Sequence, residues 1–368
     1  GLKAEFKLMV TGTPVENSLA DFWCIFDTFY DKYLGSYQDF RKTYIDPILQ
    51  AAGDEVEEIR GRVGRELRLK VGPLMLRRVK EDNLKGLPEK RIFVGINEES
   101  WEYKTSLDTL MDGRQLETYN AALSAHDDSE SNVVIGSVQR LRNISLHPQL
   151  ADEGQLAIPK NSAELESLIN ESGKMQSIIS ILDDIKKRQE KCIIFIVNKR
   201  LQAFLSLALC KRYNLGPLSV INGDTKAVSK KESIPTRKSI IRDFENCDGF
   251  NIIIMSPIAA GVGLTIVGAN NVIHLERHWN PAKEAQATDR VHRIGQKKEV
   301  NVYIPISRHP VYESFDVNLH KLLSNKTLLR DSVVTPEQVV PSPGGFGEGL
   351  TSPDEIMTAD YLQRLSWQ

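Results

Sequence analysis

The segment Gln286-Ala287-Thr288-Asp289-Arg290-Val291-His292-Arg293-Ile294-Gly295-Gln296 concentrates residue types suited to handling an anion. Arg290 and Arg293 stand three apart with Gln286 one turn before Arg290, so on a helix the three would project from one face. A guanidinium is permanently charged and forks onto phosphate oxygens. Two of them with an amide, converging on one anion, are the arrangement expected to stabilise charge on a transferring phosphoryl group. The same spacing also fits a solvated helix face with ordinary salt bridges, and spacing alone leaves both readings open.

Two further stretches suit phosphate contact. Gly223-Asp224-Thr225 and Ser256 through Gly263 offer backbone N–H groups, small side chains and hydroxyls, which bind phosphate oxygens and carry no base information. Gly261 and Gly263 fit a tight turn equally well. Local charge leans the same way: residues 77–91 carry six basic against three acidic side chains, and 283–298 carry five against two. His274 and His278 are four apart, but on a strand and its following loop, with no Cys or carboxylate spacing to complete a zinc site. No metal site is expected, and His147 before Pro148 reads as a hydrogen-bonding residue at a helix end.

The elements that must position these residues follow from length and pattern. At 368 residues and 41.4 kDa, with 41% hydrophobic and 26% charged residues and mean hydropathy of −0.30, the chain buries a sizeable core in two or three units. Forty-seven basic against 49 acidic residues make the overall charge uninformative about partners. Cys24, Cys192, Cys210 and Cys247 show no paired spacing, which fits a reducing compartment. No apolar run approaches the roughly 20 residues of a membrane span. Phe6–Val10 reads as a short buried strand and Asn17 to about Tyr44 as helical. Gly53 to Lys80 is a charge-laced helical stretch with Val63, Leu67 and Val71 on one face, and residues from about 114 to 150 are helical again. From Ser172 to Ile306 helices (174–188, 199–212, 236–245, 282–292) alternate with strands (192–197, 218–221, 251–255, 271–275, 300–305), and Ile92–Ile96 is a further strand. The strands are continuous Ile/Val runs, which predicts an α/β lobe with a parallel sheet covered on both faces. Residues 336–352 read as a Pro- and Gly-rich linker, and Ser352-Pro353-Asp354-Glu355 as the start of a last helix.

These words, taken in order, resemble the motifs of the Swi/Snf-type branch of superfamily-two helicase-like ATPases, the DNA translocases that include chromatin remodellers. Thr11-Gly12-Thr13-Pro14 with Asn17 is similar to the family's third motif. Leu76-Arg77-Arg78-Val79-Lys80-Glu81-Asp82 with Leu87-Pro88 resembles its helical-insertion signature. Leu141-Arg142-Asn143-Ile144 with His147-Pro148 resembles its "LR…HP" helix, and Ser172-Gly173-Lys174-Met175 the opening of its second lobe. Ile221 to Thr225 and Ser256 to Thr265 are similar to two DNA-facing loops, and Trp279-Asn280-Pro281 with Gln286–Gln296 to the last helicase motif.

The resemblance implies a RecA-like second helicase lobe at 171–310 and the end of a first RecA-like lobe at 1–16. It further implies a helical insertion at 17–92, a strand and helical insertion or linker at 93–170, and C-terminal helices with a Pro/Gly-rich tail at 311–368. It assigns Arg290, Arg293 and Gln286 to catalysis, Thr11, Gly12, Thr13, Gly261 and Gly263 to nucleotide coupling, and Asn198, Lys199, Gly223, Asp224, Thr225 and Ser256 to DNA. No G-x-x-x-x-G-K-[ST] loop occurs and no acidic D-E-x-[HQ] box precedes Thr11. ATP and Mg²⁺ are therefore expected mainly on a first lobe, and this chain, starting at Gly1, reads as a fragment inactive alone.

Some positions depart from the family pattern. Pro257 and Ile258 replace a hydroxyl and a basic residue, Asn198-Lys199-Arg200 replaces a Ser-Gln pair, and Lys226 to Thr236 is longer than usual. His274 to Pro281 resembles bacterial members, which points to viral defence or DNA repair in a bacterial cytosol, or the nucleus if the source is eukaryotic. The implied partners are double-stranded DNA, the first RecA-like lobe and recruiting protein subunits, with no membrane. The competing reading is a non-catalytic DNA-binding or regulatory module that retains the lobe. An RNA helicase is disfavoured by the insertions and the WNP segment.

Overall fold

Uninterrupted β-branched runs favour strands hidden on both faces, and a parallel sheet sandwiched by helices provides that environment. The computed structural model describes residues 4, 6–11, 18–51, 55–76, 84, 86–98, 101–124, 131–151, 156–228, 235–261 and 263–334, and it contains such a sheet. The strands are β1 (Lys90–Val94), β2 (Glu102–Tyr103), β3 (Asp108–Leu110), β4 (Lys191–Phe195), β5 (Val220–Ile221), β6 (Asn251–Met255), β7 (Asn271–His274), β8 (Val300–Ile304) and β9 (Ile306–Arg308). Seven of them form one sheet in the order β2-β1-β8-β7-β4-β6-β5, and each pairing is parallel. Strands β3 and β9 form a small second parallel pair.

Tertiary contacts divide the chain into two units, one built on residues up to Asn83, the other on Leu84–Trp279 and Lys283–Leu319. The smaller unit is helical: α1 (Leu19–Phe29), α2 (Tyr37–Phe40), α3 (Asp46–Gln50) and α4 (Glu55–Val71). Helix α1 starts where Ser18 and Asp21 cap each other's backbone amides reciprocally. Phe22, Phe26, Phe40 and Ile48 then pack with Val63, Leu67 and Val71, the face read from the sequence.

In the larger unit the helices are α5 (Gly113–Ser124), α6 (Ser131–Leu146), α7 (Ser162–Asn170), α8 (Gly173–Lys187), α9 (Lys199–Tyr213), α10 (Arg237–Asn246), α11 (Pro257–Ala260), α12 (Pro281–Thr288) from Lys283 onward, and the start of α13 (Phe315–Val334). Period-two alternation sorts β4 between two cores. Cys192, Ile194 and Ile196 pack with α8 and α9, whereas Ile193 and Phe195 join Ile241 and Phe244 of α10 and Ala287 of α12.

Three expectations change. Residues 6–10 form no strand, and Phe6 and Val10 are 80% and 86% exposed; an extended apolar run becomes a strand only beside a partner, and no described residue pairs with it. The helical stretch 114–150 is divided into α5, α6 and a 3₁₀ turn at Pro148–Leu150. The strand expected at 92–96 begins earlier, at Lys90, and enters the large sheet beside β8. Gly12, Thr13, Pro14, Asn17, Arg77 to Asp82 and the segments at 336–352 and 352–355 lie outside the described residues. Among the described residues no helix is long and apolar enough to cross a membrane.

Candidate functional site

In a parallel sheet the carboxyl ends of the strands share one edge, and their loops collect the groups that meet ligands. After β4, the Asn198 side chain caps α9 by accepting the Leu201 amide at 3.1 Å. After β5, Asn222 Oδ1 accepts the Asp224 amide at 2.9 Å, and Thr225 Oγ1 accepts the Asn222 amide at 3.1 Å, a closed turn that leaves Gly223 and Asp224 exposed at its tip. Lys199 and Asp224, both expected at DNA, are bound to each other at 2.8 Å on the open surface. After β6, Ser256 is buried and makes no side-chain cap to the one-turn α11. Gly263 has φ of +63°, a conformation that favours glycine, whereas Gly261 sits at an ordinary −58°.

The helix expected over 282–292 ends at Thr288. The Arg290 carbonyl accepts the Ile266 amide at 2.9 Å instead of serving residue 294, and the amides of Arg290 and Val291 reach back only three residues. Arg290 and Arg293 therefore do not share a helix face; they lie on a tight turn after it. The turn still gathers them: Arg290 Nη2 donates to the Gly261 carbonyl at 2.6 Å, and a Cβ on Gly261 would come 3.7 Å from Gln286 Oε1. Arg290 is half-buried and Arg293 exposed. Burial and the neighbouring Arg293 charge lower the Arg290 pKa, against a smaller opposing effect of Asp289. No carboxylate among the described residues stands within ion-pair distance of either guanidinium. Gln296 pins the turn from beneath, its amide nitrogen 2.8 Å from Ala269 O and 3.2 Å from Val267 O while its oxygen accepts the Lys297 amide at 2.9 Å. Thr11 lies in the smaller unit, exposed.

Beneath this edge lies a buried charge cluster that the sequence reading missed. Glu276, 3% exposed, accepts the Val197 and Asn198 amides at 2.7 and 2.6 Å and pairs with Arg142 at 2.9 Å. Arg142 also donates to the Arg277 carbonyl at 3.0 Å and lies over the Trp279 ring at 5.1 Å. Arg277 grips Glu284 of α12 through Nε and Nη2 at 2.8 and 2.7 Å. Burial opposes charge on Glu284, yet Arg277 and the His278 amide hold its carboxyl below the usual range. Lys174 and Asp316 form another buried pair at 2.7 Å. The visible signal was Glu276-Arg277 following the buried β7 and Leu275: charges there must be paired or exposed.

Neither histidine pattern yields a ligand set. His274 is buried, with Nε2 2.8 Å from Thr288 Oγ1 and its pKa pushed down to about 4, chiefly by burial. His147 takes the Gln149 amide on Nδ1 at 3.2 Å and has Nε2 2.9 Å from Leu168 O, the helix-end role read from the sequence. Among the described residues no group of three or more His, Cys, Asp or Glu could hold a metal ion.

The SNF2-related domain matches residues 1–150 and the helicase conserved C-terminal domain residues 173–295. The chain belongs to the Snf2-type superfamily-two helicase-like ATPases. It is 34% identical to Zorya protein ZorD of Escherichia coli over 348 residues, covering 91% of this chain and 30% of that protein. It is 30% identical to YwqA of Bacillus subtilis over 341 residues, covering 91% and 33%. The Sulfolobus solfataricus SWI2/SNF2 ATPase core domain is 23% identical, with TM-score 0.46, covering 90% of this chain and 60% of that one. The chain thus spans about a third of the length of the first two relatives. The helicase C-terminal match spans β4 to β7 of the parallel sheet with their flanking helices.

Proposed function

We propose that this Snf2-type chain supplies the second lobe of a composite ATPase that drives movement along double-stranded DNA. In this reading residues 171–310 are that lobe, 1–16 close a first RecA-like lobe, 17–92 and 93–170 are insertions, and 311–368 are the C-terminal helices and tail. ATP and its Mg²⁺ would be held mainly by first-lobe polypeptide beyond these 368 residues, a division supported by the greater length of the relatives.

One observation carries the reading. Arg290 and Arg293 are neighbouring cations with no carboxylate at ion-pair distance among the described residues, on a turn that Gln296 and Ile266 hold in place. Their mutual repulsion is relieved by an anion, and a triphosphate has the right charge and oxygen geometry. Placed on the γ-phosphate, such arginines are worth about 10³–10⁵ in rate, or about 4–7 kcal/mol of barrier. Gln286, Thr11, Gly12, Thr13, Gly261 and Gly263 would couple the lobes to the nucleotide. Each round of ATP binding and hydrolysis would ratchet the lobes along a strand.

Asn198, Lys199, Gly223, Thr225, Ser256 and the backbone at Asp224 would face DNA phosphates without reading bases. Phosphate would have to displace Asp224 from Lys199, an exposed pair that costs little to open. Bacterial cytosol is the proposed setting, on the likeness to the Escherichia coli and Bacillus subtilis relatives, with defence or DNA repair as the process served and further protein subunits recruiting the motor.

The test is ATP turnover by the complete polypeptide with and without double-stranded DNA. Arg290→Ala or Arg293→Ala should lower turnover by about 10³ or more while nucleotide affinity stays within a few-fold. Unchanged turnover would leave the non-catalytic DNA-binding module as the better account.

A further inference from the structure

Two adjacent residues after β7 send their side chains to different machinery. Glu276 faces the start of α9: its Oε2 accepts the Val197 and Asn198 amides at 2.7 and 2.6 Å, and its own amide donates to the Phe195 carbonyl at 3.3 Å. Arg277 faces α12, where Glu284 receives its Nε at 2.8 Å and Nη2 at 2.7 Å and also takes the His278 amide at 2.8 Å. One turn beyond Glu284, Thr288 ends the helix against His274 of the same strand, and the arginine turn begins.

We propose that Glu276-Arg277 is a relay that passes DNA engagement at the start of α9 to the arginine turn after α12, a role resting on the function proposed above. A buried carboxylate that leaves its donors becomes an uncompensated charge, so Glu276 follows the Val197–Asn198 backbone when it shifts. Arg142 pairs with it at 2.9 Å through Oε1 while the same nitrogen holds the Arg277 carbonyl at 3.0 Å. The backbone on either side of this pair is therefore held, at the Glu276 amide by the Phe195 carbonyl and at the Arg277 carbonyl by Arg142. Arg277 is only 3% exposed at its side chain and its bidentate grip on Glu284 fixes orientation as well as distance, so motion of that backbone is delivered to α12. At the far end Lys199 is 62% exposed beside Asn198, and a DNA phosphate offers it an alternative to Asp224. Glu276 is here a positioning residue that touches neither nucleotide nor DNA.

The readout is the ratio of ATP turnover with saturating random-sequence double-stranded DNA to turnover without it, in the complete polypeptide. Glu276→Gln keeps the shape and removes the charge; it should lower that ratio about tenfold with DNA affinity within about twofold of wild type. Arg142→Lys, the substitute should Glu276→Gln fail to fold, should lower it in the same direction. A fall in both turnovers that leaves the ratio intact marks a merely structural role and overturns the relay, as does an unaltered variant. The wild type separates the two ideas: absence of DNA stimulation there defeats the motor itself, whereas normal wild-type stimulation with an intact ratio in the variants defeats only the relay.

Discussion

Arg277 and Arg290 flank α12 and meet opposite fates. Arg277 is 3% exposed at its side chain and locked fork to fork on Glu284, whereas Arg290 is half-buried, has no carboxylate at ion-pair distance among the described residues and stands beside a second cation. A buried guanidinium must be neutralised where it sits, so Arg277 and likewise Arg142 carry their counterions with them. The difference separates arginines that hold the lobe together from arginines held ready for an anion from outside.

The widest gap this contrast allows lies between turnover and stability. Arg290→Ala should lose about 4 kcal/mol or more of transition-state stabilisation in a turnover assay, yet shift the unfolding free energy by under about 1 kcal/mol. A large stability loss would place Arg290 among the structural arginines. Conversely, Arg277→Ala strands the Glu284 carboxylate in the interior and should cost about 3–5 kcal/mol in denaturant unfolding. A cost below about 1 kcal/mol would erase the distinction.

Next in size is a pH effect beneath α12. His274 is neutral when folded because its pKa is pushed down to about 4, against about 6.5 in an unfolded chain. The unfolded state therefore binds the extra proton between those values. Stability should be complete above about pH 6.5 and fall as pH drops towards 4, by about 3 kcal/mol from this residue. Unfolding curves across that window should be flatter for His274→Gln, and an equally steep loss would assign the effect elsewhere. The smallest change belongs to the surface. Lys199→Ala removes an exposed pair and should alter stability by no more than about 0.5 kcal/mol, while DNA affinity falls and its dependence on log salt loses about one unit of slope. An undiminished slope would remove Lys199 from the DNA face.

Much of the lobe could be read from pattern because local rules and tertiary packing agree there. The apolar runs at Cys192, Asn251, Asn271 and Val300 became parallel strands, and the intervening amphipathic stretches became α8, α9 and α10. Legibility ended where a distant group decides the outcome. The end of α12 depends on Ile266 taking the Arg290 carbonyl and on His274 meeting Thr288, and neither partner is near in sequence. The β3–β9 pair joins three-residue strands far apart in the chain, too short to announce themselves. Phe6–Val10 shows the converse: local composition favoured a strand, and no described neighbour completes one. As for the site, residue types located Gln286, Arg290 and Arg293, but the buried pairs of Glu276 and Arg277 are ordered by geometry that no spacing rule contains.

The anchoring of the arginine turn by Gln296 has a chemical corollary. Its nitrogen lies among the carbonyls of Val267, Ala269 and Val291, so only a hydrogen donor is welcome at that spot. Glutamate matches glutamine almost atom for atom, yet it would aim a bare anion at three oxygens. Ageing chemistry that hydrolyses this single amide would turn a clasp into a wedge, and the loop bearing both cations would be pried from its seat without any change in bulk.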